Sequence, residues 1–495
     1  MLHEKPGSSH RRKFLKGIAV GGAAFVSKGL WGPPLAVGQT PPNCPPAPVN
    51  GTPFRRGQDT RPIVQRKSVS ALTASQISQL RLAFAKLRAL PSTDNRAWVI
   101  QVDMHALYCQ ACNHDLIQSV HGSWNFFPWH RAFIYYFERI LGSLVGDINN
   151  FRLPYWDWEN YRSMPSAYLS PANSTNSLYD VNRYSVIAKG GVLPANDGTT
   201  ARIALLDGIT DFATFGGTAK AGGTCESNPH DPIHDDIGLH TSPWHDMGHL
   251  GFAARDPIFF AHHGNLDKVW SYWNAFAGGS NLPSEAYQNP TDPAFLSERW
   301  NFYDENQRAV SISAADVLVH PTNLRYTYPS PPATAKSSAF KEPLTAAVSS
   351  SAAARRAPVV STHAARLVYS RNGLRPGPSL DVTHSVKTSV LQGVGQQSSV
   401  IIVLRGVTVP ENATGVFDIM SAQGSRMKHL GTLAVVGDAM RMSPLPRTVV
   451  LDATDAADDL LDTSNPARIT LVPRQGNGSF ELKPQDIELR VVSRR

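Results

Sequence analysis

The chain has 495 residues, of which 42% are hydrophobic and 17% charged, so it is long enough for two domains with sizeable apolar cores. Its net charge of +8 is concentrated at the N-terminus, because residues 1–38 carry six Lys and Arg against one Glu and the remainder has a net charge of only +3. This ordinary balance argues against a nucleic-acid-binding protein.

Residues 1–38 have the features of an export signal. Paired arginines at 11 and 12 precede Phe-Leu-Lys, and residues 17–30 are weakly apolar but too short and glycine-rich to span a membrane. The run resembles a twin-arginine signal, with His10 where Ser or Thr is usual; a disordered basic tail is the alternative. We therefore expect removal of residues 1–38, a periplasmic or secreted protein, and no membrane contact after that removal.

The spacing of apolar residues predicts three amphipathic helices. The first begins at a capping box formed by Thr73 and Gln76 and ends before Pro91. The other two begin near His130 and His263, and each histidine lies on the buried face of its helix. The apolar stripes that follow them are Phe133, Phe137, Ile140, Leu141 and Leu144 in one helix and Leu266, Trp270 and Trp273 in the other.

The composition changes near residue 329, where a Pro-rich run opens a stretch that is poor in large apolar residues. From residue 361 onward, short β-branched runs alternate with Gly, Pro, Asn and Asp, a spacing typical of a β-sandwich. We predict a first domain over residues 39–330, a linker over 331–360 and a C-terminal β-sandwich domain over 361–495.

Six histidines form two clusters that predict a pair of metal sites. Neutral imidazole is a ligand of intermediate softness, so sites built from it alone suit copper, zinc or iron better than magnesium or calcium. Two such sites in one core suit chemistry that needs two metals, with dioxygen as the candidate substrate. The clusters are His105, His121 and His130, and His230, His234 and His263.

A second histidine pair competes with His230 and His234. His245 and His249 have the same spacing, which on a helix places both rings on one face. Pro232 is acceptable only where a helix begins, so His230 could lie just before the first turn. Spacing alone does not decide between the pairs. It does disfavour a zinc peptidase, because that site needs Glu after the first histidine and both pairs have Asp there.

Three motifs closely resemble the copper-binding signatures of tyrosinases and polyphenol oxidases, the plant-type ones especially. They are HGSWNFFPWHR at 121–131, LPYWDW at 153–158 and RDPIFFAHHGNLD at 255–267, and they follow the family's order. The resemblance covers roughly residues 40–328, where a Tyr-x-Tyr motif closes the catalytic domain. It implies a mainly α catalytic domain, with a four-helix bundle around a dicopper centre, before the β-sandwich.

The resemblance also implies which residues hold two copper ions. His105, His121 and His130 would bind the first and His230, His234 and His263 the second, leaving His262 structural and His245 and His249 near the site or at the surface. It selects His230 because the family's second site begins with Glu four residues before the histidine, as Glu226 does here.

One cysteine has a family counterpart. The pair Cys109 and Cys112 lacks a second pair to complete a four-sulfur zinc site. In plant-type relatives the cysteine at the place of Cys109 is joined by a thioether bond to the second ligand, which implies a bond from Cys109 to His121; an unlinked Cys109 is the alternative. Of the three remaining cysteines, we expect Cys44 and Cys112 to form a disulfide bond, which leaves Cys225 outside it.

Three further residues would shape catalysis. The family implies that Glu226 holds a water that takes the proton of a phenol, helped by the residue after the first ligand of the second site. That residue is often Asn and here is Asp231, whose charge should disfavour acidic phenols, unless it only caps a helix beginning at Pro232. Leu250 stands where plant catechol oxidases commonly carry Phe, and an aliphatic side chain narrows the entrance less than a ring.

The resemblance implies a copper enzyme whose partners are a phenolic substrate and dioxygen. It would hydroxylate monophenols such as tyrosine at the ortho position and oxidise o-diphenols to o-quinones, leading to melanin-type products. The alternatives are a catechol oxidase without monophenol hydroxylation, a hemocyanin-like oxygen carrier, and a structural zinc protein. Residues 361–495 would shield the site, with Arg355 and Arg356 as a protease target for their release.

Overall fold

The computed structural model describes the chain in segments. They are residues 48–109, 120–184, 187, 190–198, 209–238, 246–275, 287–331, 359–362, 366–368, 379–381, 398–408, 415–435, 446–461, 468–475 and 486–493. The predictions for the export signal, for Cys44, Cys112 and His245, for Arg355 and Arg356, and for most of the linker lie outside the described residues.

Helices dominate the first 330 residues. The longer ones are α1 (Ala74–Arg88), α2 (Trp98–Tyr108), α3 (Phe126–Leu144), α4 (Asp231–Ile237) and α5 (Ile258–Ala275). Shorter helices span Ser166–Leu169, Phe212–Phe215, Pro293–Ser297, Ala314–Val317, His320–Asn323 and Ala457–Leu461. Single 3-10 turns span Val69–Ala71, Ala195–Gly198, Asp246–Gly248, Ala253–Arg255 and Thr454–Ala456, and a π turn spans Glu226–His230.

The three predicted helices are confirmed as α1, α3 and α5. Thr73 accepts a hydrogen bond from the backbone of Gln76 at 3.2 Å, and the Gln76 side chain accepts one from the backbone of Thr73 at 3.1 Å. Helices α3 and α5 pack against each other, with the rings of Phe137 and Phe260 stacked 3.6 Å apart. This packing fixes the two helices that carry His130 and His263.

A buried ion-pair network joins α3, α5 and the Tyr-x-Tyr motif. The carboxylate of Asp267 pairs with Arg131 and, at 3.2 Å, with Arg66, and it accepts hydrogen bonds from Tyr326 at 2.6 Å and Tyr328 at 2.7 Å. Burial raises the pKa of Asp267, but Arg131 and Arg66 outweigh burial and lower the pKa to about 2. Asp267 is therefore ionised at neutral pH.

Replacing Asp267 with Asn should lower the free energy of unfolding by roughly 3–5 kcal/mol, because both arginines remain buried without their carboxylate. The native carboxylate contributes stability above its unfolded pKa of about 4, and this contribution is lost as the pH falls towards 2. Denaturant unfolding of both proteins between pH 7 and pH 3 checks this. A difference that grows on acidification would contradict it.

Short strands surround the helices. Strands β1 (Thr52–Pro53), β5 (Arg299–Tyr303) and β6 (Ala309–Ser313) form a three-stranded sheet in the order β1-β6-β5, and β2 (Val64–Gln65) pairs in parallel with β7 (Tyr326–Thr327). Strands β3 (Gly217–Thr218) and β4 (Ala221–Gly222) form a hairpin just before the π turn.

The part of the chain after residue 358 is rich in strands. They are β8 (Val359–Thr362), β9 (Arg366–Val368), β10 (Ser379–Asp381), β11 (Ser398–Val407), β12 (Gly415–Gln423), β13 (Arg426–Val435), β14 (Arg447–Asp452), β15 (Arg468–Gln475) and β16 (Asp486–Ser493). One sheet has the order β13-β12-β15-β10-β9 and another the order β3-β4-β14-β11-β16-β8. The second sheet thus includes the hairpin β3-β4, which joins the C-terminal strands to the helical part next to the π turn.

Within the described segments, no helix has the length and apolar character needed to cross a membrane.

Candidate metal centre

The first histidine cluster is brought together as predicted. His105 lies on α2, His130 lies on α3, and His121 lies in the turn that precedes α3. All three rings are buried, and one potential ligand atom from each lies within 4.8 Å of the others. Sequence spacing had not placed His105 on a helix, because the residues of α2 are buried on every side and show no amphipathic stripe.

The second cluster forms around α4 and α5. His234 lies on α4, His230 is the residue just before this helix, and His263 lies on α5. Pro232 stands in the first turn, where a proline is tolerated because the helix has no earlier carbonyl for its nitrogen. These three histidines and His262 form a group with ligand atoms within 4.8 Å of one another.

The two clusters face each other across a short gap. The rings of His130 and His263 are stacked with centroids 4.2 Å apart, and those of His121 and His230 are 5.7 Å apart. Phe259 packs beside both clusters, with its ring centroid 4.8 Å from His105 and 4.2 Å from His263. Two metal ions held by these clusters would be close neighbours inside one apolar core.

Four of the six imidazoles are oriented by an oxygen at Nδ1. The distances are 3.0 Å from His105 to Leu250 O, 2.7 Å from His130 to Phe126 O, 2.8 Å from His234 to Met247 O and 2.6 Å from His230 to Asp231 Oδ1. A proton on Nδ1 leaves the lone pair of Nε2 available for a metal. Within the described part of the chain, Nε2 of His130 and Nε2 of His230 have no hydrogen-bond partner.

Electrostatics keeps these imidazoles neutral. Burial, with the neighbouring histidines adding to it, holds the pKa values of His105, His130, His230 and His263 well below the ordinary value. Burial likewise lowers the pKa of His234 to about 4. Metal ions bind deprotonated imidazole, so no proton has to leave these rings near neutral pH. A buried set of neutral nitrogen donors fits copper.

The competing histidines have different surroundings. His249 is buried rather than at the surface, its Nδ1 accepts a hydrogen bond from the backbone of Gly251 at 3.1 Å, and it belongs to neither group of potential ligands. His262 is fully buried, and neither of its ring nitrogens has a hydrogen-bond partner among the described residues. Proximity alone therefore does not separate His262 from His263, and the choice of His263 stays a prediction.

Glu226 lies at the junction of the two clusters. It begins the π turn, and its carboxylate accepts hydrogen bonds from the backbone of Gly122, with distances of 2.7 Å to Oε1 and 2.9 Å to Oε2. Gly122 follows His121 and has a positive φ of 72°, a conformation that favours glycine. A Cβ on Gly222 would lie 2.8 Å from Oε2, so a glycine there leaves room for the carboxylate.

The remaining predicted residues border the same centre. Asp231 is the first residue of α4, and its two oxygens contact His230 and Arg447. Leu250 is buried, and its carbonyl orients His105. The Sγ of Cys109, at the end of α2, lies 3.3 Å from Nε2 of His105, and its thioether bond to His121 stays a prediction.

Comparison with known proteins agrees with this geometry. The common central domain of tyrosinase matches residues 95–202 and 170–276, and the polyphenol oxidase middle domain matches residues 289–336. The crystal structure of Grenache (Vitis vinifera) polyphenol oxidase is 32% identical, with a TM-score of 0.51, over 59% of this chain and 92% of that chain. The chain belongs to the tyrosinase and polyphenol oxidase family. The cofactor in this family is a pair of copper ions.

The likeness to tyrosinases and polyphenol oxidases differs in extent along the chain. The chloroplastic polyphenol oxidase of Vitis vinifera is 32% identical in an alignment 372 residues long, which covers 65% of this chain and 60% of that protein. The chain thus spans about 60% of the length of this relative. Latent apple tyrosinase shares the fold, with a TM-score of 0.61 and 23% identity, over 89% of this chain and 99% of that chain. The fold likeness therefore extends into the strand-rich part.

Proposed function

We propose that this chain is a copper-dependent phenol oxidase that hydroxylates monophenols at the ortho position and oxidises o-diphenols to o-quinones with dioxygen. His105, His121 and His130 hold one copper ion, and His230, His234 and His263 hold the other. The facing pair of His130 and His263, with centroids 4.2 Å apart, carries this proposal, because two metals so placed can act on one dioxygen molecule. Rates on tyrosine and on catechol, measured with and without copper, test it. An oxygen carrier is not favoured.

The protein supplies orientation and proton transfer, while the copper pair supplies the reaction with dioxygen. A phenol has a pKa of about 10, so a monophenol must give up its proton to reach a metal at neutral pH. Glu226 is the acid–base group for that step. Its carboxylate is held by Gly122, next to His121, and it starts the turn that ends at His230, so it lies beside ligands of both sites.

Replacing Glu226 with Gln should lower kcat for tyrosine by about 10²-fold or more, because the amide keeps the contact with Gly122 but takes up no proton. We expect a smaller loss for catechol, whose second hydroxyl offers another route to the metal. Steady-state rates with both substrates at equal copper content measure the difference. An equal loss for both substrates would contradict this role.

Leu250 governs access to the copper pair by its side chain and orients His105 by its carbonyl. We expect Leu250→Phe to lower the ratio of tyrosine to catechol turnover by about tenfold, since a ring narrows the entrance while the carbonyl remains. Leu250→Met, which conserves volume, is the matched control and should leave the ratio nearly unchanged. A ratio that falls equally in both variants would contradict the access role.

Two further proposals concern the covalent structure and the C-terminal part. Cys109 forms a thioether bond with His121, which mass spectrometry of digested protein would show as a cross-linked peptide pair.

Residues 361–495 form a β-sandwich. Support comes from strands β13 and β14, which belong to different sheets and lie close together: a Cβ on Gly431 would lie 2.9 Å from Leu451. Their isolation as a folded fragment would test this domain assignment.

Export is a separate proposal. Residues 1–38 direct the folded protein out of the cytoplasm through the twin-arginine route. Outside the cytoplasm, the o-quinones that the protein produces lead to melanin-type polymers. The paired arginines and the following Phe-Leu-Lys support this. Cell fractionation of the protein and of a variant with both arginines replaced by lysine tests it, because the variant should stay inside.

A further inference from the structure

Arg447 reaches the second histidine cluster from the strand-rich part of the chain. It is the first residue of β14, and its Nη1 lies 2.8 Å from Oδ2 of Asp231. The other oxygen of Asp231 lies 2.6 Å from Nδ1 of His230. All three side chains are buried. Arg447, Asp231 and His230 therefore form one continuous chain of polar contacts, which ends at a ligand of the second copper.

The guanidinium is itself fixed on two sides. Nη1 of Arg447 also donates a hydrogen bond to the carbonyl of Ala434, on β13, at 2.9 Å. The backbone around Arg447 pairs with β4, where Gly222 donates a hydrogen bond to Pro446 O at 3.0 Å. Arg447 thus joins two C-terminal strands to the hairpin that precedes the π turn, and its charge has a fixed position.

Charge explains why an arginine is needed there. A carboxylate buried beside a neutral imidazole is costly unless a cation compensates it, whereas the amide of an Asn would need none. Arginine is suited to this because its guanidinium stays charged and its planar fork orients a carboxylate. With one oxygen of Asp231 held by Arg447, the other is directed at Nδ1 of His230, and Nε2 is left for the metal.

We propose that Arg447 is a positioning residue for the second copper site, acting through Asp231 on the His230 ring. The C-terminal part then takes part in building the site. This inference rests on the proposed function for the identity of the metal. It also implies that separating the C-terminal part from the helical part weakens binding of the second copper.

The test compares two arginines that cross the same boundary in the full-length protein. Arg447→Met removes the charge that reaches Asp231. Arg405→Met is the matched control, since Arg405 of β11 reaches Thr214, with Nη1 2.6 Å from Oγ1, and Thr214 belongs to neither histidine cluster. Copper competition with a chelator should show that Arg447→Met weakens the second copper by about 10–100-fold and leaves the first unchanged. Equal weakening of both coppers, or an effect matched by Arg405→Met, would overturn the proposal.

A double variant separates positioning from general packing. Asp231→Asn removes the carboxylate that Arg447 compensates, and the amide oxygen can still accept a hydrogen bond from Nδ1 of His230. We therefore expect Asp231→Asn to restore most of the second-copper affinity that Arg447→Met loses. A double variant that binds the second copper no better than Arg447→Met alone would overturn the role of Asp231 as the link.

Thermal unfolding of the metal-free proteins gives an independent result. The same rescue of Tm is expected there, because the double variant no longer buries the carboxylate from which Arg447→Met has removed the guanidinium. If the wild-type protein bound no copper while this rescue was observed, the proposed function would fail and the contact between Arg447 and Asp231 would stand. If Tm showed no rescue, the contact would carry no such role.

Discussion

His263→Asn is expected to lower phenol oxidation by about 10³-fold or more and to reduce bound copper from two ions per chain to one. Asparagine keeps a polar atom near the place of Nδ1 but removes Nε2, which lies 3.5 Å from Nε2 of His234 within the second cluster. In the proposed reaction both ions act on the same dioxygen molecule, so loss of one site should remove the activity of the pair. Copper analysis and catechol oxidation on the same sample measure both effects.

The neighbouring residue provides the matched control. His262→Asn makes the same change one position earlier on α5, and we expect that variant to keep two copper ions. Both rings belong to the group that surrounds the second site, so only this comparison separates ligand from neighbour. Retention of both ions in His263→Asn, together with loss of one in His262→Asn, would reverse the assignment.

Separating the C-terminal part from the helical part should raise the rate of catechol oxidation by about tenfold or more when excess copper keeps the second site filled. Strand β13 packs against α4 and the π turn, and Asn228 of that turn donates a hydrogen bond to Thr432 O at 3.3 Å. These contacts cover one side of the elements that carry Glu226, His230 and His234. A protease site placed within residues 331–360 allows the same preparation to be assayed before and after cleavage.

The control for this experiment is the wild-type protein, which lacks the introduced protease site, treated with the same protease. If phenol oxidation is the same after the two parts have been separated, the C-terminal part does not shield the site. The link through Arg447 predicts a further effect, since the separated helical part should lose its second copper to a chelator faster than the intact protein does.

Much of the metal centre could be predicted from side chains. Histidine gives a distinctive signal: the motifs at 121–131 and 255–267 contain His121, His130 and His263, and the run that begins at Glu226 contains His230 and His234. The helix that carries His105 gave no periodic signal, because every residue from Gln101 to Tyr108 is buried.

The orienting contacts were beyond sequence reasoning for a physical reason. Backbone carbonyls of Phe126, Met247 and Leu250 hold three of the rings, and every residue type has such a carbonyl. Arg447 lies 216 positions after Asp231, so only the folded arrangement of β14 and β4 brings them together. A cation near Asp231 could have been expected from the sequence, because a buried Asp beside a metal ligand calls for a compensating positive charge.

The central claim is that the two histidine clusters hold a coupled pair of copper ions that oxidises phenols. Its most direct test is the rate of dioxygen-dependent catechol oxidation, measured as metal-free protein is titrated with copper. The account predicts that activity rises only as the second site fills and reaches its maximum at two copper ions per chain. Full activity at one copper ion per chain, or none at two, would contradict it.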